Sequence, residues 1–303
     1  MVVARILTPS KNIISFFYRN LHSTKKFEIP PRLPVHNGFL LDTRSEGERK
    51  IINPAWKPKS GKNSLRIELI DRKDFGLIGQ FFVYQFIKHS NFCCHLKMKY
   101  EDLEPFFFEL LDNIIDKPLS FAAFDEDKLV GIKLNNYHTA EEFPELYPEG
   151  LYESNPKYEI KKDYAEIIKN CPYSIKGNYL YGTYMDLIKN TGKFLSNDCK
   201  KVGVLEGTAI HEKYIKCGLI HYFYALTVKA FAENKCDYFT GYCLATATFE
   251  SAKKIGMKEI FKLPYNELKV DGKLPIYDMY DGATAFRAML GNVNDSDKIV
   301  QIK

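Results

Sequence analysis

The chain lacks several features that would assign it to a common class of protein. None of its 303 residues lies in an apolar run of the roughly 20 residues that a membrane-spanning helix requires. Its seven cysteines are an odd number and include no paired Cys-x-x-Cys, which argues against a zinc site or a disulfide framework. It also contains no GxSxG elbow, Walker loop or GxGxxG motif, so serine hydrolase, P-loop NTPase and dinucleotide-binding functions are disfavoured.

Acidic residues are absent from the amino-terminal region. Residues 1–27 contain five basic side chains together with hydroxyl and apolar residues, but no Asp or Glu. This composition is typical of a mitochondrial transit peptide and predicts a mitochondrial location, the alternative being a basic tail on a cytoplasmic protein. The remaining 38 Lys and Arg residues balance 38 Asp and Glu residues. A neutral body without a basic face argues against nucleic acid as a partner.

The rest of the chain has enough apolar residues to fold. Hydrophobic residues make up 45% of the sequence and aromatic residues 14%, which excludes disorder for most of it. Five prolines between residues 28 and 62 predict an extended lead-in rather than a separate domain. We therefore expect one domain over residues 63–290, with residues 291–303 as a tail.

The first half of this domain alternates between strand and helix periods. Apolar residues alternate over 64–70, which predicts a strand, and recur at helical spacing over 75–86 and 103–114. Residues 119–124 and 128–134 then form a predicted hairpin around an acidic turn.

Residues 136–200 are polar, rich in tyrosine and interrupted by prolines. We interpret them as an insertion packed over the sheet, with helices near 157–170 and 178–190. Its tyrosines are candidates for the wall of a substrate pocket: Tyr137, Tyr147, Tyr152, Tyr173, Tyr179, Tyr181 and Tyr184.

The second half contains a more diagnostic unit. Residues 201–210 read as a strand, 211–235 as a loop entering a helix, and 237–245 as another strand. A strand, helix and strand of this length form a parallel crossover. A short helix and a strand follow within 246–261, and 273–280 is the predicted final strand.

This order of elements resembles the GNAT acyltransferase fold. The residues that carry the likeness are AIHEKYIKCGLIHYFYAL (209–226) and ESAKKIGMKEI (250–260). Together with RIELIDRKDFGLIGQFF (66–82) and the insertion, they are most similar to the arylalkylamine N-acetyltransferase branch. The resemblance covers residues 64–285 and is strongest over 201–261. It implies an α/β fold with a GNAT-like mixed central sheet and helices on both faces.

The resemblance also implies an acyl-CoA loop before the crossover helix. The family pattern Q/R-x-x-G-x-G/A falls on residues 215–220, where only Gly218 matches, and Ile215 and Ile220 place bulk near the cofactor. A helix amino terminus offers free N–H groups and partial positive charge to a pyrophosphate, and Lys216 adds a charge. The residues implied to bind acetyl-CoA are Ala209, Ile210, Lys216, Cys217, Gly218 and Leu219.

The implied reaction is attack of a neutral amine on the acetyl thioester, which needs a base for the ammonium proton. In the arylalkylamine branch this base is a Glu after the first helix, but residues 88–96 contain no acid. His89 or His95 is one substitute, since imidazole titrates near neutrality. Glu206 is the other, and strand alternation predicts that it shares a face with Thr208 and Ile210.

A serine completes the candidate site. Ser251 matches a family serine near the acceptor and the thioester sulfur, the alternative being a helical serine that faces water. We thus predict an acetyl-CoA-dependent N-acyltransferase acting on a small amine, with Glu206, Ser251 and His89 as catalytic candidates, no metal and no membrane span. The alternative is a GNAT-fold binding or structural protein that has lost catalysis. The sequence is silent on the acceptor, the acyl chain length and the oligomeric state.

Overall fold

The computed structural model describes residues 28–59, 61 and 63–298. The predicted transit peptide (1–27) lies outside the described residues, as do residues 299–303 of the predicted tail. The first residues of that tail belong to the fold instead, because the last strand extends to Asn292 and a 3-10 helix follows it (Val293–Lys298). Within the described ranges, no helix has the length and apolar character to cross a membrane.

The described residues form strands and helices that alternate along the chain. The strands are β1 (Val35–His36), β2 (Phe39–Leu40), β3 (Ile51–Trp56), β4 (Leu65–Leu69), β5 (Phe121–Asp125), β6 (Lys128–Thr139), β7 (Lys201–Ile210), β8 (Tyr238–Cys243), β9 (Lys258–Pro264) and β10 (Ala285–Asn292). The α-helices are α1 (Phe75–His89), α2 (Asn91–His95), α3 (Tyr100–Ile114), α4 (Phe143–Leu146), α5 (Ala165–Lys169), α6 (Ile175–Thr191), α7 (Leu219–Glu233) and α8 (Thr246–Lys254).

Eight of these strands form one mixed sheet in the order β3-β4-β5-β6-β7-β8-β10-β9. Neighbouring strands are antiparallel except for β7 and β8, which are parallel and joined through α7. This is the crossover that the sequence predicted, because a parallel pair needs a connection long enough to return over the sheet.

Helices cover both faces of the sheet. Helices α1, α3 and α6 pack on one face in a core that includes Phe82, Phe107 and Ile132. Helices α7 and α8 pack on the other face, where Phe231, Phe239 and Ala252 belong to one cluster. The α/β fold class with helices on both faces is therefore confirmed.

Two boundaries differ from the sequence prediction. Strand β6 continues to Thr139 and pairs with β7 along its length, so the first residues assigned to the insertion belong to the sheet. The final strand predicted over 273–280 is wrong, since these residues are mostly irregular and the last strand is β10. Pro275 interrupts 273–280, whereas β10 lies between β8 and β9 and its sequence alternates little.

The lead-in is fastened to the domain by a buried arginine. The side chain of Arg49 is 1% exposed, and its guanidinium donates to Asp42 at 2.7 Å, to Glu68 at 3.0 Å and to Asp74 at 2.7 Å. Strand β3 extends the sheet by pairing with β4. The lead-in thus belongs to the same folded unit as the sheet.

Candidate active site

The parallel strands β7 and β8 part at the centre of the sheet. Their pairing runs from Val202 and Tyr238 to Leu205 and Gly241, while β7 continues for five further residues to Ile210. The edge of β7 that faces β8 is therefore open beyond Leu205. Such an open edge leaves backbone N–H groups available to a ligand or to a developing oxyanion.

A cavity of about 230 Å³ occupies this gap and passes through the sheet. Its walls are residues 205–210 of β7 and residues 241–245 at the end of β8. Helix α1 borders it on one face of the sheet, and α7 and α8 border it on the other. The gap thus connects the two helical layers at the point where the strands separate.

A β-bulge places Glu206 at the edge of this cavity. Leu134 of β6 pairs with Gly207 and Asn135 pairs with Leu205, so Glu206 is the extra residue. A bulge shifts the alternation of the side chains after it. The predicted shared face is therefore wrong: Glu206 contacts α6, whereas Thr208 and Ile210 face α7.

The carboxylate of Glu206 is held by hydrogen bonds. Tyr184 of α6 donates its hydroxyl to Oε2 at 2.5 Å, and Asn136 Nδ2 donates to Oε1 at 3.4 Å. Burial and this neighbouring carboxylate raise the pKa of Tyr184 well above its usual value, so the phenol remains a donor. The next residue is necessarily small, because a Cβ on Gly207 would lie 2.4 Å from the ring of Phe82.

A second cavity, of about 300 Å³, lies beyond Glu206 between α3, α6 and the segment around α4. Glu206 and Tyr184 line both cavities. Four carboxylates line the second cavity, those of Glu109, Glu142, Glu145 and Glu206, together with the ammonium of Lys117 and the imidazole of His138. Of the predicted wall tyrosines, Tyr173, Tyr181 and Tyr184 line it. We name it the acidic cavity, and the one between the strands the strand cavity.

The candidate base His89 lines the strand cavity from the end of α1. Its Nε2 is buried without a hydrogen-bond partner, as is Oε1 of Gln85 one turn earlier, which also lines the cavity. Burial lowers the pKa of His89, and the positive charge of Lys88 lowers it further. A neutral imidazole at pH 7 is therefore expected at this wall of the cavity.

The other two candidates, Ser251 and His95, do not line the strand cavity. Ser251 is buried and donates its hydroxyl to Ala247 O at 2.8 Å. The wall at α8 consists of Thr248 and Ala252 among the described residues. His95 packs edge-on against the ring of Tyr277. A role for Ser251 stays a prediction.

The predicted acyl-CoA loop presents its backbone rather than its side chains. Gly218 is the amino-terminal cap of α7 and has φ +94°, a conformation that favours glycine. Ile215 is 49% exposed, and Ile220 packs beside Tyr224 in the core on that face. Neither isoleucine lines the strand cavity.

The remaining predicted cofactor residues divide by the direction of their side chains. Ala209 and Ile210 line the strand cavity from β7. Cys217 and Leu219 are buried in the core below the loop, so only their main chain is available to a ligand. Lys216 is exposed, with φ +66°.

The lead-in lies against this loop and brings a cation to it. Lys59 N donates to Cys217 O at 2.9 Å, and its methylenes lie 3.4 Å from where a Cβ on Gly218 would be. Burial lowers the pKa of His221, and the charges of Lys254 and Lys59 lower it further. Two lysines from separate segments, Lys59 and Lys254, therefore lie near His221 in the first turn of α7.

Comparison with solved structures identifies this arrangement. Arylalkylamine N-acetyltransferase 2 from Aedes aegypti matches 77% of this chain and 100% of its own, at TM-score 0.58 and 11% identity. A polyamine N-acetyltransferase from Drosophila melanogaster matches 76% of this chain and 100% of its own, at TM-score 0.57 and 11% identity. The chain has the GNAT fold.

The chain has the GNAT fold although its sequence has little similarity to those of the matching structures. The C-terminal condensation domain of Ebony, solved with β-alanyl-dopamine, also matches, at TM-score 0.51 and 15% identity over 76% of this chain and 99% of its own. No protein-family model and no curated protein sequence matches the chain. At these identities the likeness fixes the fold, and the chemistry must be argued from the site.

The sequence analysis did not assign a specific role to four side chains at this site: Tyr184, Lys59, Lys254 and Lys133. Tyr184 was one of seven candidate wall tyrosines, and the bulge that directs Glu206 toward it has no sequence signature. Lys59 and Lys254 lie far from the loop in sequence. Lys133 of β6 also lines the strand cavity, and the one available signal for it was a lysine within an otherwise apolar strand.

Proposed function

We propose that the chain is an N-acyltransferase that moves an acetyl group from acetyl-CoA to a small amine. The observation that carries the proposal is the parting of β7 and β8 beyond Leu205, with a cavity through the sheet at that point. A thioester lying in this gap would meet the open edge of β7. The backbone N–H groups of that edge suit the oxyanion that forms when an amine attacks.

The loop before α7 is the proposed site of the donor's pyrophosphate. Free N–H groups and the partial positive charge of a helix amino terminus favour an anion there. The charges of Lys59 and Lys254, which lower the pKa of nearby His221, add to this field. The donor would then enter on the face of the sheet covered by α7 and α8, with its thioester in the strand cavity.

The acidic cavity is the proposed entrance for the acceptor. Its carboxylates attract a cation, which suits an amine that is protonated in solution. The acceptor would reach the thioester from the face opposite α7. Glu206 lies where the two cavities meet, so an amine that moves from one to the other passes it.

Glu206 is the proposed base, and His89 is the runner-up. The hydrogen bond from Tyr184 fixes the direction of the Glu206 carboxylate beside both cavities. Within the described part of the chain, Oε1 of Glu206 accepts one hydrogen bond, the long contact of 3.4 Å from Asn136, which leaves it available to an ammonium. Among the described residues, Nε2 of His89 has no hydrogen-bond partner, but His89 lines the strand cavity and not the acidic cavity.

Titration calorimetry of the purified chain with acetyl-CoA is the first test. Saturable binding is expected, and none at millimolar acetyl-CoA would end the enzyme proposal. Release of free thiol with a panel of amines then measures turnover in the wild type, Glu206→Gln, His89→Ala and Ser251→Ala. An unchanged rate in all three variants would reject the assigned residues. Binding without turnover on any amine would favour a GNAT-fold binding protein.

We also propose that residues 1–27 direct the chain to mitochondria. The support is their composition alone, with basic and hydroxyl residues and no acid. Residues 1–30 fused to a fluorescent reporter should bring it to mitochondria. A diffuse cytosolic signal would reject the proposal.

A further inference from the structure

The structure contains a lysine at the strand cavity for which the proposed transfer reaction has no use. Lys133 lies on β6 opposite Thr208 of β7, and its residue surface is 1% exposed. It lines the strand cavity beside Thr208 and Tyr224. Taking an ammonium out of water costs several kcal/mol unless an anion compensates it. Such a position calls for an explanation.

The hydrogen bonds of Lys133 fit a neutral amine. Its Nζ donates to Leu134 O at 3.2 Å and to Gly207 O at 3.3 Å. Among the residues that the structure describes, no carboxylate lies within ion-pair distance of this nitrogen. A neutral amine has two N–H groups, which these two carbonyls satisfy. The third N–H of an ammonium would have no such acceptor, whereas the neutral form has one free lone pair.

Burial favours the same protonation state. It lowers the pKa of Lys133 to about 7, with Glu206 acting in the opposite direction. The ionisable groups around this nitrogen are Glu206 on β7, Cys243 on β8 and Tyr224 on α7, whose ring lies 5.5 Å from Nζ. None of them forms an ion pair with it, so an unprotonated amine is available near neutral pH.

We propose that Lys133 is a self-acylation site that accepts the acetyl group of acetyl-CoA held in the strand cavity. This inference rests on the proposed function, because the donor must occupy that cavity. The Nζ lone pair attacks the thioester carbonyl, the new C–N bond forms, and the C–S bond breaks with its electron pair on sulfur. One Nζ proton passes to the thiolate. The products are an Nε-acetyl-lysine and CoA thiol.

The alternative to self-acylation is a purely structural role, in which Lys133 stabilises the bulge at Glu206. Its two hydrogen bonds satisfy carbonyls beside Glu206, and a lysine that only fixed the bulge would stay unmodified. The two roles therefore differ in covalent chemistry, which mass spectrometry measures on the wild-type chain without any substitution.

The test is a time course of the full chain with acetyl-CoA, digested and analysed by mass spectrometry. One added acetyl group on Lys133 is expected, at a rate that saturates with acetyl-CoA and exceeds that of exposed Lys258 by at least about tenfold. The rate should rise from pH 6, reach about half of its maximum near pH 7 and level off above that, since only the neutral amine reacts.

Gly218→Val provides a matched comparison, because it is expected to weaken donor binding without touching Lys133. Acetylation of Lys133 should slow in this variant while that of Lys258 is unchanged. Binding of acetyl-CoA by calorimetry without acetylation of Lys133 would overturn this inference and leave the proposed function standing. Absence of binding would overturn both, and equal rates at Lys133 and Lys258 would show nonspecific chemistry and overturn the inference.

Discussion

The two sides of the strand cavity differ in how they are built. On the proposed donor side, the loop before α7 departs from the family pattern at both Ile215 and Ile220, yet keeps Gly218 at φ +94°. On the proposed acceptor side, the backbone is disturbed by a bulge, and the hydroxyl of Tyr184 lies 2.5 Å from the carboxylate of Glu206. One side depends on main-chain geometry and the other on side-chain identity.

This difference explains why a poor motif can accompany a well-formed site. Backbone N–H groups bind an anion whatever the side chains are, provided that the turn keeps its shape. Proton transfer instead requires a particular functional group in a particular place. Substitutions should therefore have unequal effects on the two sides, with the largest loss at the proposed base and the smallest at the loop side chains.

The acceptor side should be most sensitive at Glu206. Glu206→Gln keeps the shape of the side chain and an oxygen to accept from Tyr184, but removes the base. We expect kcat to fall by about 100-fold or more at saturating substrates, measured as thiol release. Glu145→Gln, in the same acidic cavity, is the control and should change kcat little. An unaffected kcat in Glu206→Gln would exclude it as the base.

The donor side should be most sensitive at Gly218. A β-branched residue at φ +94° is strained, and its side chain would press on Lys59. We expect Gly218→Val to weaken acetyl-CoA binding by at least about tenfold, or 1.4 kcal/mol, by calorimetry. Gly150→Val is the control, since Gly150 has φ +87° with open space around it. Equal losses of affinity in the two variants would indicate general destabilisation.

The cations near the loop should contribute less. Lys59 and Lys254 are exposed, and exposed charges contribute roughly 1 kcal/mol or less. Lys59→Met and Lys254→Met should each weaken acetyl-CoA binding by about two- to fivefold, an effect that shrinks as salt is added. Lys253→Met is the control, because Lys253 pairs with Glu250 at 2.7 Å. Identical affinities in all three variants would remove these cations from the site.

The smallest effect is expected where the sequence departs most visibly from the family. Ile215→Gln restores the family residue at a position that is 49% exposed and outside the strand cavity. Such a surface change should alter acetyl-CoA affinity by no more than about twofold. A gain of tenfold or more would contradict the view that the main chain dominates on this side.

Much of the fold could be predicted from the sequence because it follows local periodicity. Strand β7 was predicted with its observed bounds, and the parallel crossover to β8 follows from the length of the connection. The segment 273–280 misled because alternating apolar residues also occur in irregular segments that pack against a core. Periodicity reports burial, and only tertiary contacts distinguish a strand from such a segment.

The candidate site was less predictable, for a physical reason. A bulge depends on how two strands pair, so Glu206 was assigned to the wrong face even though its strand was correct. Groups that meet from distant segments, such as Lys59 and Gly218, have no shared local pattern. His89 was predicted as a candidate base from its residue type alone. Its position at the strand cavity depends on the fold and could not be predicted from the sequence.

The attachment of the lead-in has a practical consequence for anyone who trims this chain. A domain boundary drawn at residue 63, where the motifs begin, removes both Arg44 and Arg49 and leaves Asp74 as a buried carboxylate without either cation. Glu68 then keeps Arg66 but loses Arg49. It also removes Lys59, which donates a hydrogen bond to Cys217 and packs against Gly218. A shortened chain of that kind would be a poor test of the proposed activity, because its inactivity would reflect the missing support rather than the chemistry of the cleft.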